Sequence, residues 1–206
     1  MNKNKIAFAA ADSRVVVSRI FGVLVIILAL FTGHSFTQDS MTDILFEISG
    51  LFFLTICSIG RLWALMYIGG LKRRELITNG PYSIVRNPLY VSSLIGAIGI
   101  GLASENLLIL AVILLFYVLY YPFTVLAEEK KLADKFGNDY IEYAGCTPRF
   151  WPKLSLYKKA KPYQINTTVF LRSLATGMWF IWIFILLHFI EMLQNAGFIP
   201  VVLRIP

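Results

Sequence analysis

Apolar segments alternate with polar, mostly basic connections along the whole chain. A helix needs about 20 apolar residues to cross the hydrocarbon core of a bilayer, and most of the segments approach or exceed that length. The segments occupy residues 15–33, 44–68, 89–103, 107–127 and 169–190. The pattern therefore predicts an all-α, polytopic integral membrane protein with about five transmembrane helices in a single domain.

The third and fourth segments predict a helical hairpin, because only a three-residue polar turn at 104–106 separates them. Gly96, Gly99 and Gly101 in the third segment allow a neighbouring helix to approach closely. No strand precedes these glycines, so they do not form a dinucleotide-binding loop. Helical spacing continues beyond the fourth segment, and its helix is expected to extend past the membrane to Gly137.

Composition and charge support the membrane class and predict an orientation. The chain is 57% hydrophobic and 15% charged, with a mean hydropathy of +0.68. When the N-terminus is placed inside, all of the 19 Lys and Arg residues except Arg204 fall on the inner side. This bias predicts an N-terminus inside and a C-terminus outside. The net charge of +7 then faces anionic lipid head groups, so no nucleic-acid partner is expected.

Neither a disulfide nor a metal site is expected from the sequence. Cys57 lies in an apolar segment and Cys146 in a polar loop, so the two are not predicted to pair or to form a metal cluster. The chain has two histidines, His34 and His188, and the predicted topology places both on or near the outer side. Metal binding at that side is not predicted.

The connection LITNGPYSIVRNPLY at 76–90 is the most informative polar stretch. The predicted hairpin leaves the cytosolic face after this connection and returns to it before the acidic pair Glu128-Glu129. Adjacent carboxylates on a helix diverge by about 100°, so at most one of the pair points into a given site. The predicted polar cluster contains Arg74, Tyr82, Arg86, Asn87, Tyr90, Glu128 and Glu129. Its mixed charges, amides and rings suit a zwitterionic, aromatic ligand.

A series of motifs between about residues 67 and 152 resembles a known family. In order, the motifs are GPY at 80–82, RNP at 86–88, EE at 128–129, FGNDYIEY at 136–143 and PRFWP at 148–152. With the hairpin between the second and third motifs, the series resembles the isoprenylcysteine carboxyl methyltransferase family. That family is related to the membrane phospholipid N-methyltransferases. The resemblance predicts N-terminal spans at 1–66, a methyltransferase core at 67–152, and an interfacial segment, fifth span and tail at 153–206.

The resemblance implies that S-adenosyl-L-methionine is the methyl donor and that it binds in a pocket on the cytosolic face. By resemblance, the residues that contact the cofactor are Tyr82, Pro88, Tyr90 and Glu128. The adenosine side is expected to be lined by Arg74, Glu75, Leu76 and Ile77, with Tyr67 nearby. The predicted cofactor-binding set is completed by Arg86, Asn87, Leu89 and Glu129. The residues expected to act in catalysis are Glu128, Asn87 and Arg149.

Two positions depart from the pattern of the eukaryotic isoprenylcysteine enzymes. The usual histidine of their Arg-His-Pro motif is Asn87 here, which forms hydrogen bonds but does not titrate. Their substrate-binding arginine, four residues before the cofactor-contacting glutamate, is Thr124 here. Arg149 offers a replacement anion clamp, and the alternative is that this arginine contacts lipid. The departures leave the identity of the methyl acceptor open.

The favoured prediction is a membrane methyltransferase that modifies a lipid-like or prenylated acceptor by carboxyl O-methylation of the isoprenylcysteine type. A carboxylate is already nucleophilic, whereas an amine must first lose a proton to Glu128 or Glu129. Phospholipid N-methylation and a non-catalytic membrane binding or assembly role are the alternatives. The expected partners are the lipid bilayer and a lipophilic acceptor. The expected location is the plasma membrane of a prokaryote or the endoplasmic reticulum of a eukaryote, with the active site facing the cytosol.

Overall fold

Seven α-helices, two short strands and a 3₁₀ turn form the computed structural model, which describes residues 3–36, 40–69, 75–159 and 167–205. In chain order the elements are α1 (Lys3–Phe31), β1 (Thr32–His34), α2 (Met41–Ile68), α3 (Pro81–Ile84), α4 (Pro88–Ala103), α5 (Leu107–Phe136), α6 (Asn138–Cys146), the 3₁₀ turn (Leu154–Leu156), α7 (Thr167–Asn195) and β2 (Leu203–Ile205). Helices α1, α2, α4, α5 and α7 coincide with the five apolar segments. The predicted all-α class is confirmed.

Three helices in the described part of the chain are long and apolar enough to cross a membrane, namely α2, α5 and the Phe170–Asn195 part of α7. The shorter apolar helices Val15–Phe31, within α1, and Pro88–Ala103 pack against them in the same bundle. Large apolar side chains remain exposed on the bundle, such as Phe52 and Leu119, each 60% exposed. Extensive exposed apolar surface of this kind fits a lipid environment. The predicted membrane class is confirmed.

Successive long helices run in opposite directions, so their connections gather at two ends of the bundle. At one end, His34 after α1 lies close to Glu105 in the α4–α5 turn and to Glu191 near the end of α7. At the other end, Asn87 before α4 contacts Glu129 late in α5. We name these the His34 end and the Glu129 end. The 16 residues of α4 separate them by about 24 Å.

Several element boundaries differ from the sequence prediction. The extension of α5 is confirmed, because the helix continues to Phe136 and stops at Gly137, where φ is +53°. Helix α7 continues to Asn195, five residues beyond the predicted 190. The polar connection 76–90 contains the four-residue helix α3, which the sequence does not predict.

The C-terminal tail forms a strand that the sequence prediction also missed. Strand β2 pairs in parallel with β1. The N–H of Val202 donates to the carbonyl oxygen of Phe31 at 2.9 Å, and the N–H of Ser35 donates to that of Ile205 at 3.0 Å. The two strands are very short and far apart in the chain, so local periodicity carries no signal for their pairing.

Glycines allow α2 and α4 to cross at close range. A Cβ on Gly50 would lie 2.6 Å from the backbone nitrogen of Ala103, and one on Gly99 would lie 2.9 Å from that of Leu54. A Cβ on Gly96 would lie 2.6 Å from a side-chain sulfur of α2. Real Cβ atoms do not approach other atoms this closely, so the crossing requires glycine. The predicted packing role of Gly96 and Gly99 is confirmed.

Gly50→Ala is expected to destabilise the bundle, because the added methyl group would meet backbone atoms of α4 that cannot move aside easily. Overpacking of this kind costs about 1–3 kcal/mol. Gly22→Ala is the matched control, since a Cβ at Gly22 meets nothing within 4 Å. The control is expected to gain up to about 1 kcal/mol of helix propensity. Thermal unfolding of the detergent-purified variants measures both effects, and equal midpoints would contradict the close crossing.

Candidate functional site

The later part of the connection between α2 and α4, residues 80–85, is buried. Gly80 has a φ of +59°, and a Cβ there would lie 2.2 Å from the Tyr67 ring. Glycine alone suits both the left-handed backbone and the close ring. The hydroxyl of Ser83 donates a hydrogen bond to the Gly80 carbonyl oxygen at 2.7 Å. Residues 80–85 are therefore held as a compact turn, and all of them are buried.

A downstream segment at 148–158 covers this turn and pairs with its backbone. The backbone hydrogen bonds run from Arg86 N–H to Pro148 (2.8 Å), from Lys153 N–H to Ile84 (2.9 Å) and from Gly80 N–H to Lys158 (2.8 Å). The N–H of Lys158 also donates to the Ser83 hydroxyl oxygen at 2.9 Å. The polar backbone of the buried turn is thus satisfied by protein groups.

The buried carboxylate of Glu129 joins the turn and the covering segment to α5. Asn87 Nδ2 donates to Oε1 of Glu129 at 2.8 Å. Arg149 donates to Oε2 through Nε at 2.9 Å and lies 2.8 Å from it through Nη2. Arg86 Nη1 lies 3.5 Å from the same oxygen. We name these four residues the Glu129 cluster. The connection 76–90 and the acidic pair therefore meet at one end of the bundle, as the hairpin predicts.

Glu128 is half-buried, and its negative charge acts on a different group, the Tyr82 phenol. Burial raises the pKa of the Tyr82 phenol, and interactions with Tyr143 and Glu128 raise it further. The phenol is therefore protonated and available as a hydrogen-bond donor at neutral pH. Its oxygen is buried and has no hydrogen-bond partner among the described residues. The two adjacent carboxylates thus lie in different surroundings, as their helical geometry predicts.

Two tyrosines of α6 contribute contacts that sequence reasoning did not assign. The hydroxyl of Tyr143 donates to the backbone carbonyl oxygen of Tyr82 at 2.7 Å. The ring of Tyr140, which is 5% exposed, meets the Tyr143 ring edge-on with centroids 6.1 Å apart. Burial raises the pKa of both phenols. Their i, i+3 spacing places both rings on one face of a helix, and that spacing was the available signal.

Tyr90 and Thr124 line the buried interior near the site. Tyr90 is 8% exposed and meets the Tyr121 ring edge-on at a centroid distance of 5.8 Å. Thr124 is fully buried, and its Oγ1 has no hydrogen-bond partner in the described part of the chain. Thr124 occupies the position of the substrate-binding arginine of the eukaryotic enzymes, and the sequence analysis offers Arg149 as its replacement. In the structure the Arg149 guanidinium donates a hydrogen bond to Glu129, and a contact of Arg149 with the acceptor stays a prediction.

The remaining predicted cofactor residues differ in their burial. Arg74 lies outside the described residues. Tyr67 packs its ring against Gly80. Pro88 is buried, Leu76, Ile77 and Leu89 are half-buried, and Glu75 is exposed. The structure therefore concentrates the predicted residues at 82–90 and 128–129, and it leaves Glu75 at the surface.

The site combines charges of both signs with buried aromatic rings. Arg86 and Arg149 share one carboxylate, which leaves positive charge in excess, and Glu128 adds a separate negative charge. The Nε of Arg86 is buried without a hydrogen-bond partner among the described residues. Such a site suits a ligand that carries an anionic group, a cationic group and a flat ring.

Two curated relatives match most of the chain. The nickel-cobalt-cadmium resistance protein NccN of Alcaligenes xylosoxydans xylosoxydans is 35% identical over 184 residues, which cover 89% of this chain and 86% of that protein. The cobalt-zinc-cadmium resistance protein CzcN of Cupriavidus metallidurans is 34% identical over 183 residues, covering 89% of this chain and 84% of that protein. No solved structure shows significant similarity to the chain.

The sequence profile of the phospholipid methyltransferase family matches residues 17–139. The matched region contains the connection 76–90, the α4–α5 hairpin and the acidic pair, and it ends before Arg149. The predicted resemblance to membrane methyltransferases is confirmed by this match. The chain belongs to the phospholipid methyltransferase family.

Proposed function

We propose that the protein is an S-adenosyl-L-methionine-dependent methyltransferase that modifies a lipophilic acceptor in the membrane. The observation that carries this proposal is the Glu129 cluster. It joins the turn before α4, the end of α5 and the segment 148–158 at one end of an apolar bundle. Membership of the phospholipid methyltransferase family supports the reaction class.

The side chains at this site fit the chemical parts of the cofactor. The rings of Tyr82 and Tyr90 suit its adenine ring and sulfonium group. Glu128 suits the ribose hydroxyls or the ammonium group, and Arg86 suits the carboxylate. Buried donors without a partner destabilise a protein, and the Tyr82 hydroxyl and the Arg86 Nε are two such donors in the described chain. A polar ligand at this position would satisfy both.

S-adenosyl-L-methionine supplies an electrophilic methyl group when it is bound. The protein aligns the acceptor with that group and excludes water. Glu129 fixes Asn87 and Arg149, so the turn and the covering segment are positioned before any ligand binds. The covering segment closes the site from the polar side. The exposed apolar helices allow an acceptor to approach from the bilayer.

We propose a carboxylate as the acceptor, in an O-methylation of the isoprenylcysteine type. Both histidines of the chain lie at the His34 end, so the Glu129 end has no imidazole to act as a base. The oxygens of Glu129 are already engaged by Asn87 and two arginines. A carboxylate acceptor needs no base.

Phospholipid N-methylation is the second candidate, and the description of the matching family favours it. An amine acceptor must lose a proton before it attacks, and Glu128 is the carboxylate placed to accept that proton. A non-catalytic binding or assembly module is the third candidate. It requires that the site bind no cofactor or that binding lead to no methyl transfer.

We also propose a cellular setting for the reaction. The distribution of Lys and Arg supports a Glu129 end that faces the cytosol. Both relatives come from bacteria, which supports the plasma membrane of a prokaryote, and both are named for resistance to divalent metal cations. Carboxyl methylation removes a negative charge from the acceptor, so it would weaken the attraction of the membrane for such cations.

Tyr82→Phe is expected to weaken the binding of S-adenosyl-L-homocysteine about 2- to 12-fold, the equivalent of one hydrogen bond of about 0.5–1.5 kcal/mol. The thermal midpoint is expected to stay unchanged or to rise, because the hydroxyl has no protein partner to lose and its burial without one is unfavourable. Tyr143→Phe is the matched control, since its hydroxyl bonds the Tyr82 carbonyl oxygen at 2.7 Å and its loss should lower the midpoint. For both variants, calorimetry measures the binding of S-adenosyl-L-homocysteine, and thermal unfolding in detergent measures the midpoint. Unchanged binding by Tyr82→Phe would contradict the assignment of its hydroxyl.

Glu128→Gln and Glu129→Gln separate cofactor binding from structural support. Glu129→Gln is expected to lower the free energy of unfolding by about 1–3 kcal/mol, because it removes the charge that holds two arginines. The loss is smaller than for a fully buried pair, since the Arg149 side chain is 41% exposed. Glu128→Gln is expected to lower the free energy of unfolding less than Glu129→Gln does and to weaken cofactor binding roughly tenfold or more. Calorimetry with S-adenosyl-L-homocysteine and thermal unfolding in detergent test both variants. If Glu128→Gln lowered stability and Glu129→Gln weakened binding, the two residues would have each other's roles.

Membranes that contain the protein and methyl-labelled S-adenosyl-L-methionine are expected to accumulate label in a lipid extract as a base-labile ester. Alkali releases a methyl ester as volatile methanol, whereas an N-methylated amine keeps its label. Membranes with Glu128→Gln provide the control for background labelling. Base-stable label in phosphatidylethanolamine derivatives would establish the second candidate. No label, together with no binding of S-adenosyl-L-homocysteine, would establish the third.

A further inference from the structure

A second polar cluster lies at the His34 end, at the opposite end of the bundle from the proposed methyltransferase site. Nε2 of His34 lies 3.4 Å from Oε2 of Glu105 and 3.5 Å from Oε1 of Glu191. One ligand atom from each of these residues can be chosen so that all lie within 4.8 Å of one another. We name the three residues the His34 cluster. They come from β1, the α4–α5 turn and α7, so the cluster exists only in the folded chain.

Glu105 is the most confined member of the cluster. It is 5% exposed, and its Oε2 is buried without a hydrogen-bond partner among the described residues. Its φ of +52° is rare for a residue other than glycine. Glu191 also places a carboxylate oxygen beside the same imidazole nitrogen of His34, so two carboxylates meet at one ring atom. Carboxylates crowded in a buried place call for a compensating cation.

The His34 ring is also supported on its other side. Nδ1 lies 3.9 Å from Oδ1 of Asp43, and the ring is 10% exposed. At this distance Asp43 forms no hydrogen bond with Nδ1 and acts on the ring only as a nearby charge. Pairing of His34 with Ile205 in the β1–β2 sheet holds the backbone at this position.

Two cavities border the cluster. One has a volume of about 20 Å³ and is lined by His34, Glu191, Thr32 and Gln194, among others. This volume holds one particle of about the size of a water molecule. A larger cavity of about 360 Å³ also borders His34 and Gln194, and Arg204 lines it as well. The smaller space is sized for a single ion or water, and both cavities are lined by Gly33, His34 and Gln194.

We propose that His34, Glu105 and Glu191 bind one divalent transition-metal ion. In a tetrahedral site with metal–ligand distances of about 2.1 Å, neighbouring ligand atoms lie about 3.4 Å apart. The two distances from His34 Nε2, 3.4 and 3.5 Å, match that spacing. The smaller cavity provides room for a water as the fourth ligand. One imidazole with two carboxylates favours ions such as Zn²⁺ or Co²⁺ over Mg²⁺ and Ca²⁺, which prefer oxygen ligands.

This proposal departs from the sequence-based expectation of no metal site. Neither histidine is near Glu105 in the sequence, and only the fold brings Glu105 to His34. His188 lies at the same end but is 59% exposed, and its Nδ1 is 3.5 Å from the other oxygen of Glu191. It lies outside the three-residue set whose ligand atoms converge.

Titration of the purified full-length protein with Zn²⁺ and with Co²⁺ tests the proposal. The wild type is expected to bind one Zn²⁺ per chain by calorimetry, and bound Co²⁺ is expected to show the visible absorption of a tetrahedral site. His34→Gln is expected to lower the affinity roughly 100-fold or more. His188→Gln is the matched control, because it removes the other histidine of the same end. Its affinity is expected to change by less than about threefold, since it leaves all three ligands in place.

Glu105→Gln separates a metal ligand from a structural residue. Without metal, the variant is expected to have an unchanged or higher thermal midpoint, because it relieves the crowding of carboxylates. Saturating Zn²⁺ is expected to raise the wild-type midpoint but not that of the variant. The proposal is wrong if the wild type binds neither ion at millimolar concentration, or if His34→Gln binds Zn²⁺ as the wild type does. Neither measurement uses methyl transfer, so a failure of the metal proposal is distinct from a failure of the proposed function.

Discussion

A buried carboxylate must find hydrogen-bond donors, and Glu129 is the position where this requirement organises the protein. Its two oxygens accept from Asn87, which precedes α4, and from Arg149, which follows α6. One side chain of α5 therefore joins two irregular connections that are far apart in the chain. Irregular backbone beside a membrane persists where protein satisfies its polar groups. The backbone hydrogen bonds between the turn at 80–85 and the segment 148–158 provide that satisfaction.

Neighbouring glutamates have different surroundings because α5 turns by about 100° between them. Glu129 points to the arginines and supports the architecture, whereas Glu128 interacts with Tyr82. The contacts of Glu129 fix the site, and a second carboxylate lies near buried donors that have no hydrogen-bond partner among the described residues. A site fixed in this way is suited to pre-organised binding. Because protein groups alone make these contacts, folding assembles the proposed site, and in the proposed function the binding energy would serve to orient the reacting groups.

The α4–α5 hairpin carries polar residues at both of its ends. Asn87 lies where the hairpin begins and Glu105 lies in its turn, about 24 Å away along α4. Glycines on α2 and α4 bring these helices into close contact, so the hairpin is held firmly in the bundle. Groups at this separation share no contacts and contribute independently to stability and binding. The proposed methyl-transfer site and the proposed metal site are therefore separate features of one scaffold.

Helix positions, the membrane class and the family follow from the sequence, because hydrophobic runs and motif spacing are local properties. The hairpin also places 76–90 beside Glu128-Glu129, since two helices of opposite direction return the chain to one side. Only the tertiary structure decided which carboxylate binds Arg149, because side-chain direction and packing choose between neighbours. The same holds for the β1–β2 pairing and for His34 beside Glu105. These contacts join residues from distant parts of the chain, and no local pattern encodes such proximity.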